Sequence, residues 1–193
     1  MDEREFFDKI APSWDDNEVL STPENVNRIL DYMDLKPGDE VLDLGTGTGV
    51  LLPFIVERIG ENGKITAVDY SSEMLKRAKS KFSSLNPLPE FLNIDFETEN
   101  IEGEYDCIIL YCVYPHLHNP YDTLKWLRSV NLKKGGKMFI AFPSKEDFIN
   151  NIHKEKHSES DILPSADILA SLLNQNGLKA ESVCDNYVVR VSA

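Results

Sequence analysis

Alternation constrains this chain more than any other feature. Apolar, strand-like runs at 40–44, 64–68, 90–94, 105–110 and 137–142 are separated by stretches of helical periodicity. A helix is expected over 49–59, with Pro53 tolerated near its first turn. Another starts at Ser71-Ser72-Glu73, with a capping hydroxyl and an early acid, and turns Met74, Leu75, Ala78 and Phe82 inward. A third covers 121–130. Ahead of the first strand, 21–33 reads as a helix. Ser21 or Thr22 can cap it, Pro23 suits its first turn, and Val26, Ile29, Leu30 and Met33 share one face. After a Gly135-Gly136 turn and the fifth strand, helices are expected over 144–155 and 165–176, the latter ended by Gly177. The last two strands, 179–185 and 187–192, are joined too tightly to be parallel. This order predicts a doubly wound α/β fold with a mainly parallel sheet covered on both faces. The closing C-terminal hairpin is expected to add one antiparallel strand at an edge. Ligands in such sheets bind outside the carboxyl ends of the strands. A site is therefore sought after Leu44, Val68, Ile94 and Leu110.

The first of these places reads V-L-D-L-G-T-G-T-G over 41–49. A phosphate-cradling loop needs a Gly-Lys-Ser/Thr ending, which is absent. The dinucleotide pattern needs a glycine at position 50, where Val50 stands; the third glycine is Gly49. Gly45 and Gly47 allow a ligand close to the main chain, and amides before a helix favour an anion such as a carboxylate. Asp43 would repel a pyrophosphate but suits an ammonium group, directly or through water. A ligand with an ammonium, a carboxylate and a neutral ribose fits this mixture best.

On these residues the chain resembles the class I S-adenosylmethionine-dependent methyltransferases. The 41–49 segment is similar to their motif I. Asp69, in A-V-D-Y-S, matches the acid that binds the ribose hydroxyls, with Tyr70 beside it. Asp95, in N-I-D-F, matches the acid near the adenine amino group, with Phe96 placed to pack on the ring. Y-D-C-I-I-L-Y-C-V-Y-P-H resembles the fourth strand and the segment after it, and L-K-K-G-G-K-M-F-I-A-F the fifth. The lead-in F-F-D-K-I-A-P-S-W-D-D is similar to that of the quinone-biosynthesis group. The resemblance implies a seven-stranded Rossmann-like sheet and S-adenosylmethionine as cofactor. It implies a cofactor site of Asp43, Gly45, Thr46, Gly47, Asp69, Tyr70, Asp95, Phe96 and Tyr111. It also implies a single domain, with a cap over 1–35, a core over 36–143, an acceptor-side insertion over 144–164, and a last helix and hairpin over 165–193.

Charge narrows the acceptor. The net charge is −13, and from Phe82 to Leu124 no Lys or Arg occurs among eight acids. Nucleic-acid affinity comes largely from cations on phosphates, so a nucleic-acid partner is not expected and a small-molecule acceptor is. Neither an Asn-Pro-Pro-Tyr-type segment nor a Pro-Cys nucleophile follows the fourth strand; Tyr111 precedes Cys112. The acidic run reads first as a solvated rim, and otherwise as a field suited to a cation. In the Tyr114-Pro115-His116 segment, His116 is the candidate base or acceptor-positioning residue, and Tyr114 is a second candidate.

No metal is expected. The alternative is a site from His116 and His153, with Asp161 as a third ligand; His153 and His157 are spaced to share a helix face. Phe6, Phe7, Ile10 and Trp14 give the first helix an apolar face that either packs on the domain or closes over the cofactor. No apolar run reaches membrane-spanning length, the N-terminus is unlike a secretion signal, and three cysteines form no disulfide framework, so a cytoplasmic protein is expected. Homo-oligomer formation is left open. The competing functions are a non-catalytic, cofactor-binding regulator and a nicotinamide-dependent oxidoreductase.

Overall fold

The structure is a computed structural model that describes residues 3–16, 22–156, 162–184 and 187–193, with the side chains of 152–156 and 184 excepted. The chain opens with helix α1 (Glu3–Ile10), a 3-10 turn (Ala11–Asp16) and α2 (Pro23–Asp31). It then alternates through β1 (Glu40–Leu44), α3 (Leu52–Ile59), β2 (Lys64–Val68), α4 (Ser72–Lys81), β3 (Glu90–Leu92), β4 (Tyr105–Tyr111), α5 (Pro120–Val130) and β5 (Leu132–Phe142). Helices α6 (Glu146–Lys156) and α7 (Ala166–Gln175) precede the hairpin of β6 (Lys179–Cys184) and β7 (Tyr187–Ser192).

The seven strands form one sheet in the order β3-β2-β1-β4-β5-β7-β6. The first five are parallel, as expected of strands joined by helical crossovers. Strand β7 is antiparallel to both of its neighbours. It therefore lies one place in from the edge, and β6 is outermost, not the antiparallel strand. The crossover through α6 and α7 carries the chain two positions beyond β5, and the hairpin returns β7 into the gap.

Apolar side chains alternate between two cores. Along β4, Cys107, Ile109 and Tyr111 join Val26, Ile29, Leu30 and Ile55 of α2 and α3 on one face. Ile108 and Leu110 join Leu124, Leu127, Leu169 and Leu173 of α5 and α7 on the other. Burial on both sides is what an uninterrupted apolar strand requires.

Three local expectations are revised. Helix α3 begins at Leu52, because positive φ at Gly47 and Gly49 keeps the preceding segment in turns. Strand β5 begins at Leu132, which pairs with Tyr105; an irregularity follows before Lys137 pairs with Cys107, so Gly135 and Gly136 lie inside the strand pair. Thr22 holds the N-cap position of α2, but its side chain makes no capping hydrogen bond, while its carbonyl accepts from Val26. Ser71 does cap α4, through the Met74 amide.

The register positions the site. Leu44 pairs with both Val68 and Leu110, and Tyr111 pairs with Ala141. The strands thus end level, and the segments after them open on one edge.

Candidate active site

After β1 the chain turns at Gly45 and Gly47, with φ of +66° and +56°. A Cβ at Gly45 would lie 2.4 Å from Val113 Cγ2, so conformation and contact both demand glycine there. The bare backbone at Gly45 thus admits another loop of the protein itself. At Gly47 the neighbour is the Trp14 indole, 3.7 Å from the position of a Cβ.

Asp43, at 1% exposure, accepts a hydrogen bond from the Thr46 hydroxyl at 2.7 Å. Burial, reinforced by the charge of Asp69, pushes its carboxyl up to about 7 against the Thr46 bond. Asp69 follows β2 and accepts from the amides of Gly47 and Ser71, each at 2.8 Å. Burial raises it to about 6 despite these two bonds. Two carboxyls that resist ionisation thus sit together where the first two strands end.

Asp95, Phe96 and Glu97 follow β3. Glu97, its side chain only 10% exposed, accepts from the amides of His118 and Asn119 at 2.9 and 3.0 Å and from the Thr123 hydroxyl at 3.0 Å. Its carboxylate also pairs with His118 Nδ1 at 3.1 Å. Burial alone would raise the Glu97 carboxyl, but the bonds from Asn119, His118 and Thr123 outweigh it and hold it below its ordinary value. Glu97 therefore ties the segment after β3 to the segment after β4. The same partner raises His118, whose side chain is otherwise exposed.

After β4, Cys112 turns the chain with φ of +60° and leads into a 3-10 turn at Tyr114–His116. Residues three apart eclipse in such a turn. Val113 and His116 accordingly both line the cavity, while Tyr114, at 8% exposure, packs into the core beside Tyr121. The expectation that Tyr114 contacts the acceptor is corrected on this ground.

The N-terminal segment crosses the opening as a strap. Glu3 Oε1 lies 2.8 Å from His116 Nδ1. The Phe7 ring meets His116 and Trp14 edge to face. Asp8 accepts from the Ser71 hydroxyl at 2.6 Å and the Glu73 amide at 3.2 Å, adding a second cap to α4. Asp15 accepts from Thr48 and pairs with Lys81; burial opposes its ionisation, but these partners lower it.

The resulting cavity encloses about 1110 Å³, counting its open mouth. All nine residues expected to hold the cofactor line it, as do His116 and His118. Trp14 and Asp15 of the lead-in and Val113 of the segment after β4 also line it, as does Glu97, to which no motif pointed. No described residue of 144–164 does, so the expected acceptor-side insertion contributes none of the described lining. The His153 side chain, His157 and Asp161 lie outside the described residues. Among the described residues, no group of three or more His, Cys, Asp or Glu could hold a metal.

The profile of a methyltransferase domain family matches residues 35–178. The chain belongs to this family. The methyltransferase domain is 28% identical over 180 residues to a 2-phytyl-1,4-naphtoquinone methyltransferase of Trichormus variabilis, covering 86% of this chain and 76% of that protein. It is 34% identical over 102 residues to the enzyme of that name from Nostoc, covering 51% and 43%. A SAM-dependent methyltransferase from Aquifex aeolicus superposes with a TM-score of 0.72 at 25% identity, covering 100% of this chain and 98% of that one. Several curated relatives are longer, and the chain spans between 33% and 48% of their length.

The cavity fits S-adenosylmethionine. The sheltered carboxyls of Asp43 and Asp69 give it hydrogen-bond acceptors. Tyr70, Phe96 and Tyr111 offer aromatic surface to a purine. Among the described residues no Lys or Arg lines the cavity, as suits a cationic sulfonium.

Proposed function

We propose that this protein transfers a methyl group from S-adenosylmethionine to a small-molecule acceptor. The observation that carries the reading is the cavity itself. It is formed by the segments after β1, β2, β3 and β4, roofed by the strap, and lined, among the described residues, by five carboxylates without a Lys or Arg. Such a site repels polyanions.

Within it, Gly45, Thr46 and Gly47 hold the amino-acid end of the cofactor, with Asp43 facing its ammonium group. Asp69 takes the ribose hydroxyls and Tyr70 packs beside them. Asp95 and Phe96 take the adenine, and Tyr111 closes the floor. Bound there, S-adenosylmethionine supplies an already activated methyl group, so the protein's work is to orient the acceptor and remove its proton where needed. His116 faces the acceptor and serves as base. Among the described residues no helix is long and apolar enough to cross a membrane, and a cytoplasmic setting belongs to the same proposal.

The test has two parts. S-adenosylhomocysteine should raise the melting temperature and NADH should not. Methyl-labelled S-adenosylmethionine should then pass label into the low-molecular-weight fraction of a cell extract. Label found only in protein or nucleic acid, or no transfer despite binding, would refute the small-molecule reading.

A further inference from the structure

Glu3 is the one acid of α1 that meets the acceptor side of the cavity. Its carboxylate lies 2.8 Å from His116 Nδ1, across 113 residues of sequence. Both side chains are sheltered, His116 at 19% exposure and Glu3 at 30%. The Phe7 ring stands edge to face against the imidazole at 5.4 Å between centroids, which fixes the plane of the ring. A carboxylate at Nδ1 selects the tautomer protonated there and makes Nε2 the basic nitrogen.

We infer that Glu3 and His116 form a general-base dyad, assembled when α1 docks over the cavity, and that the acceptor is therefore a protic nucleophile, a hydroxyl above all. The inference rests on the methyl-transfer reading above. In the step, the acceptor's O–H proton passes to His116 Nε2 while its oxygen bonds the methyl carbon. The carbon–sulfur bond breaks with its electron pair left on sulfur, giving a neutral thioether. The imidazolium facing Glu3 then releases its proton to water. A tertiary amine has no proton to lose and would leave the dyad idle. Glu3 is a positioning residue here: it acts through His116, and it is present only while the strap is closed.

Two measurements test this on the full chain. The first is the histidine tautomer, read by 15N NMR with S-adenosylhomocysteine present at about pH 8.5, where a neutral ring reports its tautomer. His116 should carry its proton on Nδ1 in the wild type and in Glu3→Gln, whose amide oxygen still accepts, and should shift towards Nε2–H in Glu3→Ala. The second is label transfer from S-adenosylmethionine into the small-molecule fraction, with the product identified by mass. An O-methyl product is expected. Its rate should fall roughly 100-fold or more in His116→Asn, and on the order of 10-fold in Glu3→Ala, with the S-adenosylhomocysteine affinity unchanged. Glu3→Gln should lie between wild type and Glu3→Ala.

A wild-type His116 protonated mainly on Nε2 would overturn the dyad. So would a Glu3→Ala protein with unaltered tautomer and rate, or a product methylated on an amine that lacked a proton. Absence of any labelled small molecule would instead overturn the function proposed above, while the NMR signature would still decide for or against the dyad.

Discussion

Replacing Asp43 by Asn should make the free protein more stable and the cofactor complex weaker, and the first effect has a calculable pH dependence. Asp43 is buried at 1% exposure and its carboxyl is raised from 3.8 to about 7. The folded state therefore prefers the protonated acid. Below the unfolded value both states are protonated and burial carries no ionic penalty. As pH rises towards 7 the unfolded chain ionises first, and stability is lost until the folded carboxyl also ionises. The gap between the two values corresponds to about 4 kcal/mol, of which about 3 kcal/mol falls between pH 5 and pH 8. Asn keeps an oxygen for the Thr46 hydroxyl and cannot ionise.

Urea unfolding of wild type and Asp43→Asn without ligand, at both pH values, reads this contribution together with its coupling to Asp69, while distant titrating groups cancel between the two proteins. The advantage of the variant should grow by about 3 kcal/mol from pH 5 to pH 8. On the proposed placement of the ammonium group beside Asp43, the same variant should bind S-adenosylhomocysteine about 10-fold or more weaker at pH 8, in line with the loss of a charged hydrogen bond. A stability difference independent of pH would refute the buried-acid argument. Unchanged ligand affinity would refute the ammonium assignment.

Other outcomes follow from the same geometry. Gly45→Ala forces an L side chain into positive φ and against Val113, and should cost about 1–3 kcal/mol by thermal or chemical unfolding while weakening S-adenosylhomocysteine binding. Glu97→Ala leaves three donors at the start of α5 without their acceptor and should cost about 1–3 kcal/mol. Because Glu97 is held below its ordinary value, its contribution is complete above the unfolded carboxyl pKa and is lost as pH falls through the lower folded value, so the deficit of Glu97→Ala should shrink in acid. Asp8→Ala removes the second cap of α4 and should cost about 1 kcal/mol, and the strap should be cleaved faster near Asp15. In the wild-type protein, S-adenosylhomocysteine should slow that cleavage; equal rates with and without it would count against a closing strap.

The edge of the sheet on which the cavity opens was legible in the sequence, because the residues expected there sit at or just after the ends of the first four strands. Asp43, Asp69 and Asp95 are tied to local signals, an apolar run followed by an acid and a turn, and parallel strands in register bring such positions to one edge. The acceptor half was less legible. His116 was the first candidate in the chain and Tyr114 the second, and only the eclipsed geometry of the 3-10 turn sends His116 to the cavity and Tyr114 to the core. Glu97 belonged to an acidic run that read first as a solvated rim, yet its carboxylate is sheltered and organises the start of α5. Nothing near Glu3 announced a partner, since the contact is made 113 residues away.

The linear pattern thus decided the fold class, the parallel core and the glycine turn after β1, because periodicity, turn residues and strand-end acids act over a few residues. The tertiary structure alone decided where β7 enters the sheet, which aromatic turns inward after β4, and that α1 delivers a carboxylate to His116. Those outcomes depend on contacts between segments distant in sequence, and such contacts are selected by the burial and hydrogen-bonding of the assembled whole.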